Sequence, residues 1–308
     1  MDLSIIVCTR NRRDAVTACL DSIAASMDSV SGLATEIVVV DNGSQDGTRD
    51  VLRSWAAARG CHTSIVEESG AGLARARNAG VAASKGRLLA FTDDDCQLSR
   101  THLRDLVGHD AADIEPVVRG GRVELGNPLD LPCTIKRDAN RRRIDRRQQP
   151  MRDVAPGGFI LGCNMAMRRT VFDKLGPFDE RFGAGAIFKS GEDTDYILRA
   201  YFGGVPVEYV PDMVVYHFHG RRKPHQLASL LSGYDEGNGA LYAKFIWRHP
   251  ELFRPLYWDI RNGVRELFGG PKADVALGHS HRKKVAGNMR GMMRMAAAGV
   301  WRSAERTI

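Results

Sequence analysis

The chain has 308 residues, of which 43% are hydrophobic and 26% are charged, as in a soluble globular protein and unlike a disordered or membrane-spanning one. Its longest apolar runs are strand-sized, far below the ~20 residues that a membrane helix needs. The net charge of +7 is uneven: residues 1–216 carry 28 basic and 30 acidic side chains, whereas residues 217–308 carry 16 and 7.

The first third of the chain alternates apolar segments with amphipathic ones. Runs rich in β-branched residues predict strands at Leu3–Cys8, Glu36–Val40, Thr63–Glu67 and Arg87–Thr92. Apolar residues at helical spacing predict helices at Ala15–Ala25, Thr48–Arg59 and Gly72–Ala83. Repeated strand and helix of this kind indicates an α/β fold, with a mostly parallel, Rossmann-like sheet covered by helices on both faces.

The second part of the chain is less regular. Its patterns predict strands at Val117–Glu124, Val205–Val210 and Met213–Tyr216, and helices at Arg169–Leu175 and Glu192–Tyr201. Lys136–Arg152 contains eight basic residues and little apolar content, so we interpret it as a mobile loop. The segment that follows returns to the core and ends at Asn164, a candidate substrate-binding residue. Beyond Lys223 the pattern is helical and is broken by prolines, namely Pro250, Pro255 and Pro271.

The six cysteines are spread along the chain without a CxxC pair. That spacing argues against a zinc ribbon or a disulfide framework and fits reduced thiols. The N-terminal residues also lack the basic segment and the apolar core of a secretory signal. We therefore expect a cytoplasmic protein.

Polar residues gather where the predicted strands end. They occupy four positions, Thr9–Asn11, Asp41–Asn42, Glu67–Glu68 and Asp93–Asp95. In a parallel α/β sheet, ligands bind outside the carboxyl ends of the strands. These separate segments are therefore expected to meet at one edge of the sheet and to form a ligand site there.

The acidic run Asp93-Asp94-Asp95 is the most informative of these. Adjacent carboxylates repel one another, so their clustering is costly unless a cation lies among them. In an extended segment Asp93 and Asp95 would face one site while Asp94 points elsewhere. Carboxylate and diphosphate oxygens form the ligand set that Mg²⁺ or Mn²⁺ prefers. The alternative is a solvated acidic turn before the next helix.

Two further segments carry ionisable side chains. Glu192, Asp193 and Asp195 open a predicted helix, where the helix dipole alone favours acidic residues. Three carboxylates in four residues exceed that need, and one held near an acceptor hydroxyl would serve as a general base. His217 and His219 end a predicted strand on one face; one of them is a candidate metal ligand, although a histidine is more often structural.

Five stretches, in this order, resemble family 2 glycosyltransferases of the GT-A fold. They read SIIVCTRN at residues 4–11, VVVDNGS at 38–44, ARNAG at 76–80, FTDDD at 91–95 and GEDTD at 191–195, with Arg199. They span about residues 3–220. The resemblance implies transfer of a sugar from a UDP-, GDP- or dTDP-linked donor, assisted by Mn²⁺ or Mg²⁺.

The resemblance implies roles for the residues of the nucleotide pocket. Thr9, Arg10 and Asn11 would line that pocket. Asp41 would hydrogen-bond the base, and Arg77 would lie near the nucleotide.

The resemblance also assigns the acidic residues. Asp93 and Asp95 match the DxD element, which binds the ribose and the metal, and Asp94 is an additional substrate-binding candidate between them. Asp193 matches the catalytic base of an inverting displacement, and Glu192 would contact donor or acceptor.

Two features bear on which members the chain resembles. His217 lies 24 residues beyond Asp193, as does a metal-binding histidine of polymerising and galactofuranosyl members, and His219 is the alternative ligand. The QxxRW signature of processive synthases is absent after Asp193, which favours addition of a single sugar.

Two other functions fit the sequence less well. A sugar-phosphate nucleotidyltransferase would carry a glycine-rich loop after the first strand, and none follows Thr9. A non-enzymatic nucleic-acid-binding or scaffold protein would explain the basic C-terminal part but not acids at several strand ends. No nucleic-acid partner is therefore expected.

These patterns divide the chain into a catalytic domain, residues 1–222, and a basic helical C-terminal extension, residues 223–308. Within His281–Ile308, apolar residues such as Val285, Met289 and Met293 form an approximate helical stripe. This helix either packs on its own catalytic domain or a homodimer partner, or attaches the protein to the inner face of an anionic membrane. The membrane would suit a lipid-linked acceptor; a glycan or small-molecule acceptor is equally open.

Overall fold

The computed structural model describes residues 1–148, 158–273 and 277–298, and these residues contain one sheet of nine strands. The strands are β1 Leu3–Thr9, β2 Thr35–Asp41, β3 Thr63–Glu67, β4 Leu88–Asp93, β5 Cys96–Leu98, β6 Val118–Leu125, β7 Arg142–Ile144, β8 Met165–Arg168 and β9 Val207–His217. Their order is β3-β2-β1-β4-β8-β6-β9-β5, with β7 also paired to β9.

Helices cover both faces of this sheet. They are α1 Val16–Met27, α2 Thr48–Ala58, α3 Leu73–Ala83, α4 His102–Ala112, α5 Arg169–Leu175, α6 Glu192–Phe202, α7 Pro224–Phe245, α8 Phe253–Leu267 and α9 His281–Ala297. Short 3-10 turns lie at Asp28–Val30, Gly162–Asn164 and Pro250–Leu252. Among the described residues, none of these helices combines the length and the apolarity that crossing a membrane requires.

The first four strands of the sheet order run parallel, and their carboxyl ends lie level. Cys8 is opposite Val40 on one side and Asp93 on the other, and Thr9 is opposite Asp41. Antiparallel pairing begins where β8 joins β4. The sheet therefore brings the polar ends of β1, β2 and β4 to one edge, as expected from the sequence.

Alternate residues of the strands separate two apolar cores. On β1, Ile6 packs into one core while Ile5 and Val7 pack into the other. The first core includes Tyr196 of α6 and Leu241 of α7, so the C-terminal extension shares a core with the catalytic part. The α/β architecture predicted from the sequence is thus the observed one.

The structure corrects two sequence-based assignments in the second half. Lys136–Arg152 was interpreted as a loop, yet it contains β7, because Ile144 is buried against β9; residues 149–152 lie outside the described residues. Val205–Val210 and Met213–Tyr216 were expected to be two strands. They form the single strand β9, whose irregularity opposite Gly121/Arg122 absorbs the extra residues.

The effect of each proline in the extension depends on its position relative to a helix. Pro250 opens a 3-10 turn and Pro271 follows the end of α8. Pro255 does not break α8, because it lies in the first turn, where a backbone N–H has no helical acceptor.

Helix α9 is the described part of the segment that was predicted to bind a membrane or to pack on protein. It packs against α7 and α8 and buries Gly287, Asn288, Gly291 and Met295. Packing on its own chain is therefore the arrangement that the structure describes for this helix. Residues 299–308 lie outside the described residues.

Candidate functional site

A cavity of about 610 Å³ opens at the carboxyl ends of β1 and β4, between α3 and the N-terminus of α6. Most of the candidate residues line it, namely Thr9, Arg10, Arg77, Asp93, Asp94, Asp95, Glu192, Asp193 and His217. Asn11, Asp41 and Asn164 are not among the described residues that line it.

The three consecutive aspartates do not alternate as the sequence suggested. Strand β4 ends at Asp93, and Asp94 and Asp95 form a turn before β5. The expectation that Asp94 would point elsewhere is therefore wrong, because the chain is not extended here. All three carboxylates line the cavity, and the guanidinium of Arg12 lies 3.3 Å from Asp94 and 3.3 Å from Asp95.

Arg77 joins the two acidic segments of the site. It is buried on α3, with one guanidinium nitrogen 3.0 Å from Glu192 and another 3.2 Å from Asp93. Burial alone would lower the pKa of Arg77, but these two carboxylates raise it above its usual value. The guanidinium thus remains charged and fixes the start of α6 relative to the end of β4.

The acidic side chains of the cavity have displaced pKa values. Burial, together with the charge of Asp193, raises the pKa of Glu192 to about 7, although Arg77 opposes the shift. Burial also raises the pKa of Asp94 to about 6 and that of Asp93 above its usual range. Asp95 differs: burial would raise its pKa, but the hydrogen bond with His217 lowers it. A bound cation would favour the ionised forms of this cluster.

The donor atoms near Asp95 fit a divalent metal. The Nε2 atom of His217 lies 3.4 Å from Oδ1 of Asp95, and the thiol of Cys96 is within 4.8 Å of both atoms. Although burial opposes it, the hydrogen bond to Asp95 raises the pKa of His217 to about 9. A hydrogen bond with Cys163 and burial raise the pKa of Cys96, so its neutral thiol does not suit a hard cation. Carboxylate and imidazole do suit Mn²⁺.

His219, the alternative ligand, is turned away from this cavity. Its Nε2 atom lies 3.0 Å from the carbonyl oxygen of Leu131 and 3.5 Å from the sulfur of Cys133. His217, not His219, lines the cavity. The geometry therefore favours His217 of the two.

Asp193 is held at the mouth of α6 by backbone donors. The N–H of Gly162 donates to its Oδ2 atom at 2.9 Å, and the N–H of Thr194 donates to its Oδ1 atom at 2.6 Å. A Cβ atom at Gly162 would lie 2.9 Å from the guanidinium of Arg77 and 3.0 Å from Cβ of Asp193, so a larger residue there would displace Arg77. The carboxylate is thus oriented toward the cavity with further lone pairs available.

Asn11 and Asp41 do not line the cavity but form hydrogen bonds in the loops that follow β1 and β2. Asp41 is fully buried; it accepts hydrogen bonds from the backbone of Ser44 at 3.0 Å and from Arg49 at 2.9 Å. These hydrogen bonds lower its pKa even though burial raises it. The side-chain oxygen of Asn11 accepts from the N–H of Gln45 at 2.9 Å. Asn11 thus ties the loop after β1 to the loop after β2, and Asp41 ties the loop after β2 to α2.

Asn164 occupies a structural position, contrary to its assignment as a substrate-binding residue. It is buried, and its amide donates to the carbonyl oxygens of Arg122 and Met213 at 3.0 and 2.9 Å. Its Oδ1 atom lies 2.9 Å from Nε2 of His102. These hydrogen bonds join β6 and β9 where their register shifts. They also use both donors of the amide, so none is left for a substrate.

The sequence analysis did not single out several polar residues that line the cavity, among them Arg12, Lys189, Arg221, Tyr234 and Asn238. Arg12 follows the first polar cluster and was within reach of the same argument. Tyr234 and Asn238 lie on α7, spaced by one helical turn with Leu230, so the C-terminal extension forms one wall of the cavity. No local motif marks them, because only the tertiary packing of α7 brings them to the site.

Comparisons with known proteins give a consistent result. The family model described as Glycosyl transferase family 2 matches residues 4–176. A curated relative, Glycosyltransferase AglE of Haloferax volcanii, is 27% identical over 215 residues, which are 70% of this chain. The matched region is 66% of that relative, so the chain spans less than two thirds of its length.

Two solved structures share the fold. Staphylococcus aureus TarS 1–349 in complex with UDP-GlcNAc has a TM-score of 0.56 and 18% identity, over 97% of this chain and 92% of that one. The mannosyltransferase PcManGT from Pyrobaculum calidifontis, in complex with GDP-Man and Mn²⁺, has a TM-score of 0.54 and 20% identity, over 99% and 76%. Likeness at this level of identity confirms the fold expected from the sequence.

Proposed function

The chain belongs to glycosyl transferase family 2, and on that premise we propose that it moves one sugar from a nucleotide-diphosphate sugar to an acceptor hydroxyl with inversion. The observation that carries this proposal is that Asp193 and the carboxylates of Asp93–Asp95 line one cavity of about 610 Å³. That volume lies within the range of small-molecule sites. A UDP-, GDP- or dTDP-linked donor is the proposed substrate.

The donor would lie across the carboxyl ends of β1 and β4. Thr9 and Arg10 line this end of the cavity, and Arg12 lies at its rim beside the aspartates. Guanidinium groups suit the diphosphate, since they offer paired donors to its oxygens. We assign Asn11 a positioning role, because it accepts from the N–H of Gln45 and so fixes the loop on which these groups stand, and we assign Asp41 the same role for the loop after β2.

Asp95 and His217, with Asp93 nearby, would hold the divalent metal, Mn²⁺ or Mg²⁺. When bound, the metal would offset negative charge on the leaving diphosphate. Before metal binds, the hydrogen bond from His217 keeps Asp95 ionised, and His217 would release that proton when it binds the metal. Arg77 keeps Asp93 and Glu192 in place from the opposite side.

Asp193 is the proposed general base. Its two backbone hydrogen bonds hold the carboxylate at the cavity, where it would accept the proton of the acceptor hydroxyl as that oxygen attacks the anomeric carbon. A single base on the acceptor side suffices for an inverting displacement, with no covalent glycosyl-enzyme. Tyr234 and Asn238 of α7 form the neighbouring wall, where they would contact the sugar or the acceptor.

The acceptor is proposed by chemical class and the location by cellular compartment. A glycan, a lipid-linked molecule or a small molecule would each offer the hydroxyl. All six cysteines are free, which suits a reducing cytoplasm. A screen of nucleotide sugars by thermal shift with Mn²⁺ identifies the donor, because a bound donor stabilises the folded state.

The Asp193→Asn variant tests the base. The amide cannot accept the hydroxyl proton, so we expect kcat for transfer to fall by ~10²–10⁴-fold. Donor affinity, measured by calorimetry, should stay within a few fold. Asp50→Asn is the matched control, because Asp50 also lies in the first turn of a helix but is 84% exposed. Transfer at a substantial rate by Asp193→Asn would remove Asp193 from the base role.

A further inference from the structure

Helix α8 exposes a continuous row of large apolar side chains. Five of them form what we call the α8 stripe, with exposed fractions of 48% for Phe253, 58% for Tyr257, 46% for Ile260, 48% for Val264 and 57% for Leu267. Their spacing is four, three, four and three residues. At 3.6 residues per turn this spacing places all five within an arc of ~80° on one side of the helix.

The α8 stripe is not the face by which α8 packs on the rest of the protein. Asp259 and Gly263 are the buried residues of the helix. Asp259 lies 2.6 Å from the ammonium group of Lys284, and Gly263 meets Val285, so this face is against α9. It is ~90° from the stripe around the helix. Among the residues that the structure describes, the stripe therefore lies outside the intramolecular contact.

Arginines flank the other side of the stripe. Arg254, Arg261 and Arg265 lie ~100° from it, on the side away from α9. Arg254 and Arg265 are exposed, and the guanidinium of Arg261 lies 4.9 Å from the ring centre of Trp258, itself 43% exposed. An apolar row edged by arginine and tryptophan is the composition of helices that lie in a membrane interface.

Further aromatic and basic side chains surround the stripe. Trp247 is 67% exposed and Phe268 is 86% exposed, one before the helix and one after it. Residues 217–308 carry 16 basic and 7 acidic side chains, a balance of +9. The extension that bears the stripe is therefore the cationic part of the chain, and its charge complements an anionic lipid surface.

We propose that the α8 stripe docks in the interface of an anionic bilayer, with its apolar side chains among the lipid headgroups and its arginines on lipid phosphates. A second copy of this chain fits less well. In a two-fold contact that sets two α8 helices antiparallel, the arginine rows of both copies would lie on the same side and approach each other. Docking on the bilayer does not depend on the proposed glycosyl transfer. Only its purpose, which is to hold the cavity near a lipid-linked acceptor, rests on that proposed function.

Vesicle co-sedimentation of the full chain tests the proposal, using phosphatidylcholine alone and phosphatidylcholine mixed with phosphatidylglycerol. Wild type should bind the mixed vesicles and bind the neutral ones more weakly. The double variant Ile260→Asp/Val264→Asp should bind the mixed vesicles at least ~10-fold more weakly, because each substitution removes a membrane-buried side chain. Arg254→Gln/Arg265→Gln should lose affinity for the mixed vesicles only, by about 5-fold per arginine.

Ile114→Asp is the matched control, because Ile114 is fully exposed but lies outside the extension, after α4. It should bind vesicles as wild type does. All these positions are at the surface, so thermal unfolding should be unchanged. Equal binding by wild type and Ile260→Asp/Val264→Asp overturns the proposal. The proposal is also overturned if wild type does not bind vesicles but forms a dimer that the Ile260→Asp/Val264→Asp variant does not form, since a second copy would then cover the stripe.

Donor hydrolysis with Mn²⁺ separates this inference from the proposed function. The stripe variants should hydrolyse donor as wild type does, because the substituted residues do not line the cavity. Vesicle binding without hydrolysis in wild type would reject the transferase while leaving the membrane surface intact.

Discussion

Replacing Arg77 by methionine would leave two carboxylates of the cavity without their shared counter-charge. The Arg77 side chain is 3% exposed, and its partners Glu192 and Asp93 are 9% and 33% exposed. Removing one partner of a buried ion pair costs about 3–5 kcal/mol. Because water reaches Asp93, most of that cost should come from Glu192.

The cost of this substitution should depend on pH, because Glu192 has a pKa of about 7 rather than its usual 4.5. At pH 6 Glu192 is mostly protonated in the folded protein, so Arg77→Met removes hydrogen bonds to a largely neutral group and costs ~2 kcal/mol. At pH 8 Glu192 is ionised, and the loss of Arg77 forces it to take up a proton or to stay buried and unpaired. The decrease in unfolding free energy should therefore be larger at pH 8 than at pH 6 by ~1–2 kcal/mol.

Urea denaturation at the two pH values measures this difference. Arg75→Met is the matched control, because Arg75 is on the same helix but exposed, and its partner Glu180 is 44% exposed. A surface pair of this kind contributes ~0–1 kcal/mol, so the control should show little change at either pH. The reasoning is refuted if Arg77→Met costs less than ~1 kcal/mol, or the same amount at both pH values.

Two further predictions concern stability away from the cavity. Burial lowers the pKa of His249, stacked on Phe202 at 3.4 Å, to about 4. The folded state then binds fewer protons than the unfolded state, so the stability that is present above pH 6.5 is lost as the pH falls toward 4. Urea titrations should show that the unfolding free energy of His249→Phe falls by ~1–2 kcal/mol less than that of wild type over this window. Gly239→Ala would place Cβ 1.9 Å from the carbonyl oxygen of Asn288, so calorimetry should show a lower melting temperature. Gly108→Ala, with open space around Cβ on helix α4, should be neutral or stabilising, and equal effects of the two would contradict this packing argument.

The parallel part of the sheet could be predicted from the sequence because β1, β2 and β4 are buried on both faces. Runs such as Leu3–Cys8 and Glu36–Val40 are marked by β-branched residues whatever their neighbours are. Strand β7 could not be predicted in this way. Its only buried residue is Ile144, and the arginines near it form ion pairs with Glu115 and Glu208, which lie on other segments of the chain.

The candidate site was predictable where strand ends carry the chemistry and not where tertiary packing does. Asp93 and His217 end β4 and β9, so topology alone brings their elements to one edge. The failure at Asp94 has a physical cause: a turn replaces the extended backbone on which alternation depends. Asn164 shows the opposite error, since a polar residue near the site is fully used in holding two strands together.

Helix α7 of the extension is part of the structural unit that contains the cavity, so the boundary drawn at residue 222 does not separate two apolar cores. Leu241, Phe245 and Ile246 are buried in the same core as Tyr196 of α6, the helix that carries Asp193. Each large apolar side chain contributes about 1.5–3 kcal/mol when buried, so the loss of these contacts would be large against a net stability of about 5–15 kcal/mol. Since α7 also presents Tyr234 to the cavity on another face, the membrane-facing helix α8 and the site are linked through α7 and α9.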